Sequence, residues 1–168
     1  MADLVTHMAT ALLAKAGSGG RHTATLLVGV VLPDLAGRVP VVLGLGLLNQ
    51  GVPVPELLVY GWGVLHLPFG MVPMCFLLAQ LFADRRGAFV NLLAGCLLHL
   101  AVDLLQFHTG SGYPLLFPFS GWHGELGLIG TEDTVPWSLP LALGGALAWW
   151  ARRRFAASGR ARPDQPQP

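Results

Sequence analysis

"GAFVNLLAGCLLHLAVDLLQF" (Gly87–Phe107) is apolar over nearly its whole length and follows directly on "DRRG" (Asp84–Gly87). A bilayer core takes about 20 apolar residues of α-helix, so this run predicts a spanning helix with a basic foot. Within it stand a histidine and an aspartate, His99 and Asp103. Positions i and i+4 share one face of a helix, so the two side chains point at one ion or at one another. An ionised carboxylate in hydrocarbon is costly, and intramembrane ionisable groups usually mark a pathway or a site.

Outward from that helix, the composition agrees. Of 168 residues, 53% are hydrophobic and 11% charged, with a mean hydropathy of +0.58; soluble domains carry about 25% charged residues. The formal net charge of +1 gives no basic face for nucleic acid. Further helices are expected over Leu4–Ala16, Thr23–Leu32, Leu57–Ala83 and Val135–Arg152. The run from Leu57 is long enough to span, that from Val135 is a shorter candidate, and the first two are shorter still. "RVPVVLGLGLLNQGVPVP" (Arg38–Pro55) is broken by glycine and proline and predicts an interfacial or re-entrant connection instead of a helix. The chain thus reads as one all-α integral membrane bundle of about five helices, residues 1–156, with a long outer loop from Phe107 to Pro136. Residues 157–168 have no apolar face to bury and are expected to form a disordered cytoplasmic tail.

The N-terminus lacks a basic region ahead of its apolar stretch and is expected to stay in the mature protein. Cys75 and Cys96 lie in apolar runs without metal-type spacing and read as small packing residues. No P-loop, G-x-G-x-x-G, HExxH or G-x-S-x-G motif occurs, which leaves nucleotide, dinucleotide, zincin and serine-hydrolase readings without support.

Basic residues cluster at Asp84–Gly87, at "ARRRF" (Ala151–Phe155) and around Lys15 and Arg21. Such clusters mark cytoplasmic ends, so the tail lies inside and the 107–136 loop outside. At 1.5 Å per residue His99 then stands about 20 Å above Arg86, and His66, on a straight neighbouring helix, about 28 Å above Arg85. Asp34 follows the second helix at its outer end, and His7 lies about two turns upstream of Lys15. Taken singly, His66 is a core histidine, Asp34 a turn or cap residue after a proline, and His7 a surface residue; even the pair His99 and Asp103 can be a hydrogen-bonded latch. Together at one height, the five make a shell of nitrogen and oxygen donors suited to zinc or a similar divalent ion.

"THMATALLAKA", "GVVLPDLAG", "LHLPFG" and "GCLLHLAVDLLQFHTGSGYPLLFPFS" together resemble the YdjM-like family of bacterial membrane-bound metal-dependent hydrolases. That family is in turn similar to the zinc-dependent phospholipase C and single-strand nuclease superfamily, where a helical His-x-x-x-Asp pair helps to hold zinc. The resemblance implies His7, Asp34, His66, His99 and Asp103 as metal ligands, Asp34 and Asp103 as the catalytic carboxylates, and a location in the inner (plasma) membrane. Ala36 and Gly61 stand where the family often carries an aspartate and a histidine. The reduced set is expected to hold one ion among His99, Asp103, His66 and Asp34, with His7 nearer a second. Metal-activated hydrolysis of a phosphoester or lipid headgroup follows, with membrane lipid as partner. The rivals are a small metal- or proton-translocating protein and a non-catalytic scaffold retaining the fold.

In the loop, Tyr113, Trp122 and Trp137 read as interfacial anchors. His108, nine residues beyond His99, is expected outside the ligand shell, and His123 with Glu125 on solvated loop. His22 is expected to have no metal role.

Overall fold

The computed structural model describes residues 3–18, 22–107, 112–130 and 132–160. Arg21, His108 and residues 161–168 of the expected tail lie outside the described residues. Among the described residues seven α-helical segments form six rods: α1 (Leu4–Ser18), α2 (Thr23–Pro33), α3 (Val39–Asn49), α4 (Glu56–Gly63), α5 (Pro68–Ala79), α6 (Arg85–Leu104) and α7 (Val135–Arg160). The fold is all-helical, and no strands occur among the described residues. Two helices there are long and apolar enough to cross a membrane, Thr23–Asn49 and Arg85–Leu104, and a bent pair makes a third if counted as one span.

Two expectations fail for backbone reasons. The stretch from Arg38 is helical after all: α2 continues through a π turn at Asp34–Arg38 into α3, one unbroken rod from Thr23 to Asn49. Pro33 and Pro40 stand on either side of the π turn, Pro40 in the first turn of α3, where its missing N–H costs least. Gly44 then lets Val59 of α4 seat against the helix. In the opposite sense, Leu57–Ala83 is not one span: Leu57–His66 and Pro68–Ala79 meet at 79°. Pro68 disfavours helical backbone at the residue before it, and Leu67 is extended at φ −103°, ψ 156°. α5 alone rises about 18 Å, not 28 Å, which brings His66 to the level of His99. At the other end α7 reaches Arg160, so the first residues assigned to the tail are helical.

The core is built on small residues. A Cβ at Gly95 of α6 would collide with the Leu26 carbonyl oxygen, and one at Gly29 of α2 with that of Leu92. The two backbones touch there, as close membrane helices do. On the other flank of α6, Met71, Cys75 and Ala79 of α5 interlock with Ala88, Leu92, Cys96 and Leu100. Cys75 and Cys96 are free and fully buried, 3.5 Å apart at sulfur. α1 lies between α2 and α7, and Arg152 of α7 donates to the Ala16 and Gly17 carbonyls at the end of α1.

The loop after α6 folds back on that helix. Leu126 and Leu128 donate backbone hydrogen bonds to the Leu104 and Leu105 carbonyls, and Phe107 to that of Ile129. Tyr113 and Gly124 pair at 3.0 and 3.2 Å. The loop is thereby pinned over the end of α6, beside Asp103.

Candidate metal centre

The Gly29–Gly95 contact decides what His99 meets. One turn above it, the His99 Nδ1 lies 2.7 Å from the Val30 carbonyl. A carbonyl oxygen only accepts, so Nδ1 carries the proton and Nε2 presents its lone pair. That Nε2 is fully buried without a hydrogen-bond partner, 3.4 Å from Asp103 Oδ2 and 3.9 Å from Asp34 Oδ1.

His66 enters from the break between α4 and α5. Its Nε2 donates to Asp103 Oδ2 at 3.0 Å, which leaves Nδ1 unprotonated, 3.9 Å from Asp34 Oδ1 and unpartnered. Asp34 reaches inward from the first residue of the π turn, a helix irregularity frequent at functional sites. Its Oδ1 makes no hydrogen bond, although Arg38 Nη1 lies 3.8 Å away. His7 of α1 closes the cluster. Its ring stacks on His99 at 3.9 Å, its Nε2 lies 3.3 Å from Asp103 Oδ1, and neither of its nitrogens has a hydrogen-bond partner.

All five residues singled out in the sequence therefore converge. His7, His99 and Asp103 are 0% exposed, so His7 is no surface residue. Two triads have donor atoms mutually within 4.8 Å: His7, Asp34 and His99, and His66, His99 and Asp103. Donors about 2 Å from a tetrahedral ion stand about 3.3 Å apart, and the pairs above lie at 3.3 to 3.9 Å. The residues present fit a divalent cation in donor type, in spacing and in their unmet bonding capacity. Gly61 sits exposed on α4 with open space around it, so the missing histidine there leaves no gap in the cluster.

Tyr113 is the participant that sequence reasoning misassigned. It is no interfacial anchor: its hydroxyl donates to Asp103 Oδ2 at 3.0 Å and its ring stacks on His66 at 5.6 Å. Burial, followed by the charge of Asp103, raises its pKa well above the usual tyrosine range, so the hydroxyl stays a donor. Its place in "GYP" within the resemblance block was the only sequence signal. Trp122 and Trp137 are exposed. His123 is exposed on the loop, its Nδ1 donating to the Gly121 carbonyl, and His22 stands 2.9 Å from Asp84 at the far end of the bundle.

No curated protein and no solved structure matches the chain in the comparisons made. A family model does match, over residues 2–161. With apolar helices able to cross a membrane and a buried histidine–aspartate cluster in place, that match shows that the chain belongs to the YdjM inner membrane protein family.

Proposed function

We propose that this protein is a membrane-bound metal-dependent hydrolase acting on a phosphoester or lipid headgroup, with a zinc-type divalent ion held by His7, Asp34, His66, His99 and Asp103. One observation carries the reading. His99 Nε2, His66 Nδ1, Asp34 Oδ1, Asp103 Oδ1 and both His7 nitrogens are buried without hydrogen-bond partners, on residues that form two triads sharing His99, with donor atoms within 4.8 Å of one another in each. A polar latch would pair these atoms, because a buried unsatisfied group costs about 1–3 kcal/mol.

An ion held there would supply Lewis acidity to a phosphoryl oxygen and to the attacking water. The chain's own groups do the rest. The Val30 carbonyl fixes the tautomer of His99. His66 and Tyr113 both donate to Asp103 Oδ2, which holds that carboxylate in one rotamer with Oδ1 facing the cluster. Asp34, the most exposed of the five with 16% of its side chain accessible, meets an entering water or substrate first and is placed to orient the one and take its proton. Tight burial of the other four excludes bulk water from the centre.

Turnover of a generic phosphodiester and of a phospholipid by purified, zinc-loaded protein tests the reading. Hydrolysis is expected in the wild type and should be lost in His99→Ala and Asp103→Ala. A metal-loaded wild type that hydrolyses neither substrate, but passes metal into liposomes, overturns it in favour of translocation.

A further inference from the structure

A groove runs between α1 and α2 beside the metal centre. It holds about 270 Å³ and is lined by Met8, Leu27, Val28, Val31, Leu32 and Leu35, every one of them apolar. Leu27, Val31 and Leu35 recur at i, i+4 and i+8, one step round the helix from Leu26, Val30 and Asp34, which face the core and the site. Met8 follows His7 directly. Groove and site are thus adjacent faces of the same two helices.

They also join at one end. Leu35, 61% exposed, lies beside Asp34, the most accessible member of the cluster. Half-exposed Arg38 stands at that mouth, its Nη1 3.8 Å from Asp34 Oδ1. From there the groove descends along α2 to Leu27, about 12 Å nearer the end of the bundle that carries Lys15 and Arg85. A lipid whose phosphate sits at one membrane interface points its chains toward the bilayer centre, and the groove runs from mouth to interior in that sense. A guanidinium matches a phosphate in charge and in bidentate geometry.

We infer that the groove takes an acyl chain of a phosphate-bearing lipid, with Arg38 binding the phosphate and presenting the ester to the metal centre. This rests on the proposed hydrolase reading for the identity of the reacting bond, and it names the substrate class of that site as an intact membrane phospholipid instead of a water-soluble phosphoester.

Photolabelling separates the two. The full chain is placed in phosphatidylcholine nanodiscs with a trace of phosphatidic acid that carries a diazirine midway along one acyl chain, and labelled residues are mapped by mass spectrometry. Met8, Val31 and Leu35 are expected to label well above Leu139, Leu143 and Leu147, exposed apolar residues of α7. Val31→Trp, which fills the groove, should bring its labelling down to the α7 level; Leu35→Trp, at a more exposed position, should do the same without burdening the fold. Arg38→Gln should lower groove labelling by phosphatidic acid about tenfold, the worth of a charge-assisted hydrogen bond, and leave labelling by a diacylglycerol probe unchanged. Equal labelling of groove and α7, which is bulk lipid only, overturns the inference, as does indifference to Arg38→Gln. Because labelling requires no turnover, a protein that labels in the groove but hydrolyses nothing keeps the lipid site and sinks the hydrolase reading. One that cleaves soluble phosphodiesters with no groove labelling does the reverse.

Discussion

His99 is held at one end of its ring, Nδ1 by the Val30 carbonyl at 2.7 Å, while its Nε2 faces the cluster without a hydrogen-bond partner. The pair with Asp103 was legible because i, i+4 spacing is a property of any helix. Tyr113 was not, since a loop residue meets its partner only through the backbone bonds that fold the loop back. Tyr113→Phe removes one of two donors to Asp103 Oδ2 while keeping the ring on His66. It is expected to weaken zinc binding about tenfold in a chelator competition, as loss of an outer partner of a metal ligand does; unchanged affinity would remove Tyr113 from the site. At the start of α1, Asp3 accepts from the Thr6 amide at 3.0 Å and from the Thr6 hydroxyl at 2.7 Å. Partial burial opposes ionisation, yet these Thr6 bonds prevail and hold the Asp3 carboxyl below its usual value. A depressed carboxylate contributes stability above its unfolded pKa and loses it as pH falls through the folded one. Asp3→Ala should therefore cost about 1 kcal/mol near pH 7 in thermal melts, with the deficit vanishing in acid below the carboxylate range.

Among the elements, the α2–α6 contact is the one on which the site depends. Gly95→Leu would drive a side chain into the Leu26 carbonyl and the Val30 amide. It is expected to destabilise by about 1–3 kcal/mol and to reduce metal content as His99 leaves Val30. Gly144→Leu on α7, where nothing lies within 4 Å of an added Cβ, should change neither; metal retained in Gly95→Leu would show that the close approach is not needed. The break at Pro68 was not legible in the sequence, which predicts one helix over Leu57–Ala83. The sequence run from Leu57 looks continuous because apolar periodicity does not register a single pre-proline residue. The opposite error arose at Pro40, where a proline in a first helical turn is tolerated, so glycine and proline content alone misjudged α3.

At the scale of the molecule the chain is polarised. Lys15 bonds Asn91, His22 meets Asp84, and Arg152 caps α1, all at one end. The candidate metal centre lies about 20 Å away along α6. The all-helical class was legible from hydropathy, and the five converging residues from the family resemblance together with helical rise, although the rise assumed for His66 was that of a straight helix; the number of rods was not legible, because it turns on two local backbone choices. The basic end is expected to be cytoplasmic. A single cysteine introduced at Ala156 should resist, and one at Leu126 should accept, an impermeant thiol reagent added to spheroplasts; Cys75 and Cys96, being fully buried, give no background. The reverse pattern would invert the topology and place the centre near the inner leaflet. The central claim, that five side chains from four parts of the chain share one cation, is tested most directly by the metal content of the purified protein. About one zinc-type ion per chain is predicted for the wild type and almost none for His99→Ala or Asp103→Ala; a wild type holding no more metal than these variants would contradict it.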